Sequence, residues 1–275
     1  MNPPFIRLLA VDVDGTLLDS AHQLREDVKD ALGRLSASGI SIVLATARGP
    51  MALSGILPRL SFSPLLVCFS GAWIGQLDGR SLAVTNVLLD KRIPASSARL
   101  ILASAFTHHV EPNVFTPETW RVRTLTAEIL AESQIVESSP LITPDLLGDQ
   151  EEPSKIMLMT CQGEPAKVLR TISESVQTFS TATFSKPNYL EIIACGVNKA
   201  KALTDLTTTL GVDLSQVAAL GDGDNDVEML AESGLGIAMG NASARAKSAS
   251  NWLTGTNDEG GVAQAVRRLM AEGLV

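Results

Sequence analysis

Two acidic clusters in this 275-residue chain have the spacing of a chemical site. Asp12 and Asp14 stand two residues apart in VDVDGTLLD, directly after an apolar run that starts at Phe5. Asp222, Asp224 and Asp226 recur at the same interval in GDGDNDVEML, directly after QVAAL. Alternate residues of an extended segment share a face. Carboxylates held that close raise each other's pKa and cost stability when buried unpaired. A hard divalent cation removes the problem, and Mg²⁺ needs only a few carboxylates beside water and substrate phosphate. The plain alternative is an acidic turn, since Asp and Gly dominate turns.

Two further residues could serve a phosphorylated ligand. Thr46, in LATARGP, offers a hydroxyl and a backbone N–H that could hold a phosphoryl oxygen. The plainer, less favoured alternative is a helix cap. Arg48 is the neighbouring cation, suited to a surface ion pair or to a substrate contact. Lys199, in GVNKAKAL, falls at an expected helix start, where it opposes the helix dipole. A ligand anion would offset that. Lys201 is its rival, but it lies about 200° around the helix, so both cannot face one site.

These residues need a scaffold that gathers them. The run ending at Val11 reads as a buried strand, and Leu24, Val28, Leu32 and Leu35 follow at helical spacing, with Asp19 or Ser20 as N-cap and Ser38-Gly39 as the end. ISIVLA (40–45) and PLLVCF (64–69) are two more buried strands. Strand, helix and strand at this spacing predict a parallel sheet with right-handed crossovers. The pattern changes near Ser81. Residues 85–190 read as a separate α+β unit, with strands at 119–125 and 154–160 and helices at 95–106 and 165–179. The alternation then resumes: helix 199–210, strand 216–220, helix 226–232, strand 235–239 and helix 258–270. The expected fold is a doubly wound, Rossmann-like α/β core (1–84 and 191–275) with an inserted α+β domain (85–190). Both acidic clusters follow strands, so they should meet at the carboxyl ends of the sheet, where ligands bind.

Composition narrows the class. Hydrophobic content of 45% and charged content of 19% describe a globular chain. A net charge of −8 disfavours nucleic acid and anionic membranes as partners. Cys68, Cys161 and Cys195 form no CxxC pair, which argues against a zinc site or a disulfide framework. The longest uncharged window, 60–77, holds Pro, Ser, Gly and Gln and reads as strand and turn rather than a span. The apolar run at the start is short and meets Asp12, unlike a signal peptide. A cytoplasmic location is the expectation. An EF-hand fails because Val227 and Ser233 occupy the positions of its Gly and bidentate Glu. Gly221-x-Gly223 and Gly234-x-Gly236 are weak dinucleotide signals. His22, His108 and His109 match no motif and read as ordinary histidines, Asp224 as a solvated loop residue, and Trp120, Arg121 and Arg123 as packing or exposed residues of a strand.

DVDGTL, the Thr of ATAR, the Lys of GVNKAKAL and GDGDND, in this order, look like the four signature motifs of the haloacid dehalogenase superfamily. FSGAWIGQLDG (69–79), YLEIIACGVNKAKAL (189–203) and NDEGGVAQAV (257–266) extend the likeness to its Cof-like phosphatase branch, whose cap domain is inserted between the second and third motifs. The resemblance implies an enzyme, a phosphoric monoester hydrolase. Asp12 would be the nucleophile that forms an aspartyl-phosphate, and Asp14 the general acid and base. Asp12, the carbonyl of Asp14 and Asp222 would hold Mg²⁺. Thr46 and Lys199 would bind phosphate, with Asn225 beside them in the site, and Asn225 and Asp226 would orient the metal shell and the lysine. The cap would close over the site and select a small phosphorylated metabolite, a sugar phosphate or a phosphorylated cofactor. The protein would act as a monomer or homodimer. Ala47 and Ala200 replace commoner glycines, and Ser70 stands where the branch often has Asn. A phosphomutase of related build, or a phosphate-ligand-binding module without catalysis, remains as an alternative.

Overall fold

The computed structural model describes residues 5–160 and 166–275. Two sheets organise the chain. Strands β1 (Leu8–Asp12), β2 (Ser41–Ala45), β3 (Leu65–Cys68), β4 (Trp73–Leu77) and β5 (Val84–Asp90) belong to the first. Strands β6 (Pro112–Phe115), β7 (Trp120–Val122), β8 (Leu141–Ile142), β9 (Lys155–Met159), β10 (Ser180–Lys186) and β11 (Tyr189–Ala194) build the second. Strands β12 (Val217–Gly221), β13 (Leu235–Ala238) and β14 (Trp252–Leu253) return to the first. The helices are α1 (Glu26–Ala37), α2 (Ala95–Thr107), α3 (Ala127–Ile135), α4 (Ala166–Val176), α5 (Lys199–Leu210), α6 (Val227–Glu232), α7 (Ala244–Ala249) and α8 (Gly261–Ala271).

The first sheet runs in the order β14-β13-β12-β1-β2-β3-β4-β5. It is parallel from β14 to β3, and β4 pairs antiparallel with β3. LLAVD of β1 and VAALG of β12 are buried along their whole length. Such continuous apolar runs suit strands covered on both faces. Helix α1 packs with α8, while α5, α6 and α7 pack in sequence with one another. The central strand β1 has β2 on one side and β12 on the other, so its neighbours come from opposite ends of the chain. That reversal is the switch point at which doubly wound sheets open a crevice. Register fixes what lies there: Asp12 is abreast of Ala45, and Val11 is abreast of Leu220. Thr46 and Asp222 therefore leave the sheet beside Asp12.

The second sheet runs β10-β11-β9-β6-β7-β8 and is antiparallel except between β7 and β8. One apolar cluster joins Ile156, Leu158, Leu190 and Ile192 to Ile101 of α2 and Ile172 of α4. A second joins Met157, Met159, Trp120 and Tyr189 to Ile129 of α3. Residues 156 and 158 thus face one cluster and 157 and 159 the other, as strand alternation requires.

The chain divides into two compact units. One holds the residues up to Ala47 with Ile56–Leu88 and Asn198–Val275; the other holds Arg48–Gly55 and Leu89–Val197. These limits differ from the expected 85–190. Strand β5 extends the first sheet, β11 pairs with β10 through Ala194, and Ala52 packs into the second unit's core. Helix α1 starts later than expected, at Glu26 with Arg25 before it. Asp19 caps no helix: its Oδ1 accepts N–H bonds from Ala21 and Gln23. The reason lies upstream, where N–H groups of Leu17 and Leu18 reach back to the carbonyls of Asp12 and Val13 and wind a wide turn. Strand β7 is shorter than 119–125 because the Arg123 N–H leaves the ladder for Glu111 Oε1. Helix α8 begins at Gly261, after a turn in which Gly260 bonds back to Asn257. Helix α4 ends at Val176; Pro165 of the expected 165–179 helix, like Cys161, lies outside the described residues. Among the described residues, neither Cys68 nor Cys195 forms a disulfide. Among the described residues, no helix is long and apolar enough to cross a membrane.

Candidate active site

Asp12 ends β1 and is 5% exposed. Lys199, the first residue of α5, is 1% exposed and sends its ammonium to Asp12 Oδ1 at 2.5 Å and to Asp226 Oδ1 at 2.7 Å. Two of the protein's own carboxylates, rather than a ligand alone, therefore offset the helix dipole against Lys199. Local structure explains its placement. Asn198 caps α5 by accepting the Lys201 N–H, and the Phe69–Gly71 turn packs on the start of that helix. Gly71, at φ +110°, leaves no room for a Cβ against the Asn198 carbonyl. Lys201 is exposed, on the other side of the helix.

Asp226 is fully buried, and its carboxylate folds back on its own loop. Oδ2 accepts the N–H groups of Asp222 and Gly223 at 3.0 and 2.9 Å, while Oδ1 holds Lys199. Asp222 is half-buried; Thr16 Oγ1 donates to its Oδ1 at 2.9 Å. Gly15, at φ +81°, brings its backbone so near that a Cβ would strike the Asp222 carboxylate. Asn225 is half-buried on the turn before α6, between exposed Asp224 and Asp226.

One oxygen from each of Asp12, Asp222 and Asp226 lies within 4.8 Å of the others. Three carboxylates against one ammonium leave two formal negative charges. Burial pushes the Asp12 carboxyl well above its ordinary value, Asp226 adds to the push and Lys199 opposes it. Burial and then Asp226 push Asp222 up to about 6. Burial disfavours the Lys199 ammonium, yet Asp12 and Asp226 outweigh it and hold the amine above its usual range. A divalent cation beside Asp12 and Asp222 would neutralise the remaining charge, so the residues present fit a hard metal with oxygen ligands.

Asp14 lies outside that trio. Its side chain is 44% exposed, with His22 Nδ1 3.7 Å from Oδ1. Thr46 is buried, but its backbone N–H donates to the Val67 carbonyl and its own carbonyl accepts from Ser70. That N–H is thus committed to the sheet, which corrects the expectation that it holds a phosphoryl oxygen. Asp224 is exposed as expected and pairs with Ser243 and Arg245. Arg48 donates to the Ala52 carbonyl. Trp120 stacks on Phe115 and donates to Asn113, Arg121 pairs with Glu151, and Arg123 lies over Phe106.

Residues 9–266 match the family described as haloacid dehalogenase-like hydrolase. The chain belongs to this family. A putative phosphatase of Bacillus subtilis (strain 168) is 28% identical over 276 residues, covering 96% of this chain and 98% of that one. The 5-amino-6-(5-phospho-D-ribitylamino)uracil phosphatase of the same organism is 28% identical and covers 95% of each chain. The crystal structure of a haloacid dehalogenase-like hydrolase from Bacteroides thetaiotaomicron superposes with a TM-score of 0.85 at 26% identity, covering 96% and 99%. The expected enzyme class, a phosphoric monoester hydrolase, is consistent with this haloacid dehalogenase-like membership and with relatives named as phosphatases.

Sequence reasoning passed over three polar residues of this haloacid dehalogenase-like site. Thr16 was in view within DGTLL but had no role. His22 matches no motif, and only its turn brings it to Asp14. Asn241, in MGNAS just after β13, donates to the Gly15 carbonyl at 2.8 Å. Its signal was available: a polar residue directly after a buried parallel strand stands at the ligand-binding edge.

Proposed function

We propose that the chain hydrolyses a small phosphate monoester, with Mg²⁺, through an aspartyl-phosphate on Asp12. The observation that carries this reading is the buried Asp12–Lys199–Asp226 cluster beside Asp222, with its two uncompensated negative charges. A nucleophilic carboxylate meeting a phosphate dianion needs positive charge around it. Lys199 supplies one part. Mg²⁺, held by Asp12, Asp222 and the Asp14 carbonyl, would supply the rest by neutralising phosphoryl charge. Asp226 has its oxygens committed to Lys199 and to two backbone N–H groups, which favours an orienting role over ligation.

In the first step an Asp12 oxygen bonds to phosphorus while the ester P–O bond breaks. Protonated Asp14 gives its proton to the departing alkoxide. In the second step water attacks phosphorus, its proton passes to the Asp14 carboxylate, and the P–O bond to Asp12 breaks. Inorganic phosphate leaves and both carboxyls return to their starting states. The Thr46 side chain and Asn225 would hold phosphoryl oxygens. The second unit, inserted between Thr46 and Lys199 in the sequence, would choose the leaving group. Sugar phosphates and phosphorylated cofactors are the substrate class, in keeping with the ribityl phosphate in the name of the B. subtilis relative.

The test is phosphate release from a panel of sugar phosphates and phosphorylated cofactors, with and without Mg²⁺, for wild type and Asp12→Asn. Release should require Mg²⁺ and vanish in the variant. Equal release from both proteins would overturn the nucleophile. Transfer only in the presence of a bisphosphate primer would mark a phosphomutase.

A further inference from the structure

The carboxylate and the carbonyl of Asp222 are held by residues from separate parts of the chain. Thr16 Oγ1 donates to its Oδ1 at 2.9 Å, and the Ser243 N–H donates to its carbonyl at 2.9 Å. Asn241 Nδ2 reaches its Oδ2 at 3.4 Å while donating to the Gly15 carbonyl at 2.8 Å. The Asn241 amide has a defined orientation, because its Oδ1 accepts the backbone N–H of Asn257 at 3.0 Å. An acceptor fixed on one side turns the NH₂ group toward Gly15 and Asp222. Asn257 is itself buried, and its Nδ2 donates to the Leu18 carbonyl at 3.0 Å. Asn241 therefore links the turn after β1 to the loop after β12, with Asn257 behind it.

We infer that Asn241 is a positioning residue: it orients the Asp222 carboxylate for a divalent cation and holds the Gly15 turn against it. The inference rests on the proposed cation site. A ligating carboxylate with a free torsion must lose that freedom when metal binds, whereas one already held by donors on both oxygens does not. Thr16 alone would leave Asp222 free to swing about its one fixed oxygen. Asn241 supplies the second point, and its hold on Gly15 keeps Thr16 in place. Asn241 is solvent-exposed, so replacing it leaves the core packing intact, and the Asn257 N–H it releases can bond to water instead.

Isothermal titration with MgCl₂ in phosphate-free buffer tests this without turnover. Asn241→Leu keeps the volume and removes both donors. Its Mg²⁺ affinity should fall about 10- to 100-fold, with the melting temperature of the metal-free protein close to wild type. Asn241→Ser, too short to reach either acceptor, should do the same and serves if the leucine variant fails to fold. Asn257→Ala keeps the backbone N–H that orients Asn241, so it should lower stability and leave Mg²⁺ affinity near wild type. In turnover, the Mg²⁺ concentration for half-activation should rise in Asn241→Leu, while KM for the ester at saturating Mg²⁺ stays put. Wild-type Mg²⁺ affinity in both Asn241 variants overturns the inference, as does a loss of affinity that merely tracks lost stability across all three. A wild-type protein that takes up no Mg²⁺ overturns the cation site itself, and the inference with it. If phosphate release then still depends on Asp12, the nucleophile survives that result.

Discussion

The Lys199 ammonium lies 2.5 Å from Asp12 Oδ1 in a setting where neither side chain is more than 7% exposed. The same ammonium reaches Asp226, so one cation serves two buried carboxylates. Burial alone would push Asp12 toward neutrality. Lys199 opposes that push at Asp12, although burial and Asp226 still hold the carboxyl above its ordinary value.

Removing Lys199 should therefore do more than remove a phosphate contact. Lys199→Met leaves two buried carboxylates without their partner, which typically costs about 3–5 kcal/mol. Asp12, already raised by burial and Asp226, loses the group that lowers it and rises further. A carboxyl whose folded pKa exceeds its unfolded one favours the folded state while protonated, and that advantage is lost as pH rises through the folded pKa. The variant should thus be inactive, and its stability deficit in denaturant melts should be smaller at pH 5 than at pH 7.5. A deficit that does not depend on pH would mean that Lys199 compensates neither acid.

Asp222 makes a related prediction for metal uptake. Its carboxyl titrates near 6 in the folded protein against 3.8 ordinarily. Between those values the folded state binds more protons than the unfolded one, so without metal this group's contribution to stability falls as pH rises through 6. At the proposed cation site Mg²⁺ would compete with that proton. The rise in melting temperature on adding Mg²⁺ should be small at pH 5 and large at pH 7.5, where a concentration 100 times Kd gives about 2.7 kcal/mol. Equal shifts at the two pH values would remove Asp222 from the ligand set.

His22 sits in the left-handed region at φ 56°, at the tip of a turn braced by Asp19 and Asp258, with its ring beside Asp14. A general acid matters most when the leaving group is a poor one. His22→Ala should lower kcat/KM for alkyl phosphates by roughly 3- to 10-fold, a fraction of the effect of losing the acid itself. p-Nitrophenyl phosphate, whose phenolate leaves without a proton, should be spared. An equal loss on both substrates would assign His22 to the fold rather than to Asp14.

How much was legible follows from what each signal depends on. Buried strands such as LLAVD and VAALG declare themselves because parallel strands covered on both faces must be apolar throughout. The acidic clusters and Lys199 were legible because strand ends in such a sheet converge at one edge. What escaped depends on backbone geometry. The Thr46 N–H is taken by Val67 because β2 and β3 stay paired to that point, a matter of register. The start of α1 escaped because residues 12–18 close a turn through bonds five residues apart, and no capping rule encodes that. Asn241 escaped because its partners, Gly15 and Asn257, are remote in sequence.

Ser70 shows how a departure noticed in the sequence acquires a physical reason. The Cof-like branch that the sequence resembles often has Asn at this place. Here Phe69, Ser70 and Gly71 take positive φ in succession, at 50°, 53° and 110°. The turn is held by the Ser70 N–H donating to the Thr46 carbonyl at 2.9 Å, which joins the ends of β2 and β3. The left-handed region costs most L-residues roughly 1–2 kcal/mol, and Asn tolerates it better than Ser because its amide bonds locally to the backbone. Ser70→Asn should therefore raise stability by about 0.5–1 kcal/mol, read as a higher denaturant midpoint with an unchanged m-value. Because the turn packs on the start of α5, a firmer turn should also hold Lys199 more rigidly, so kcat should stay level or rise. A lower midpoint would show that Asn cannot be seated here, and that this chain's Ser is required by its packing rather than tolerated by its backbone.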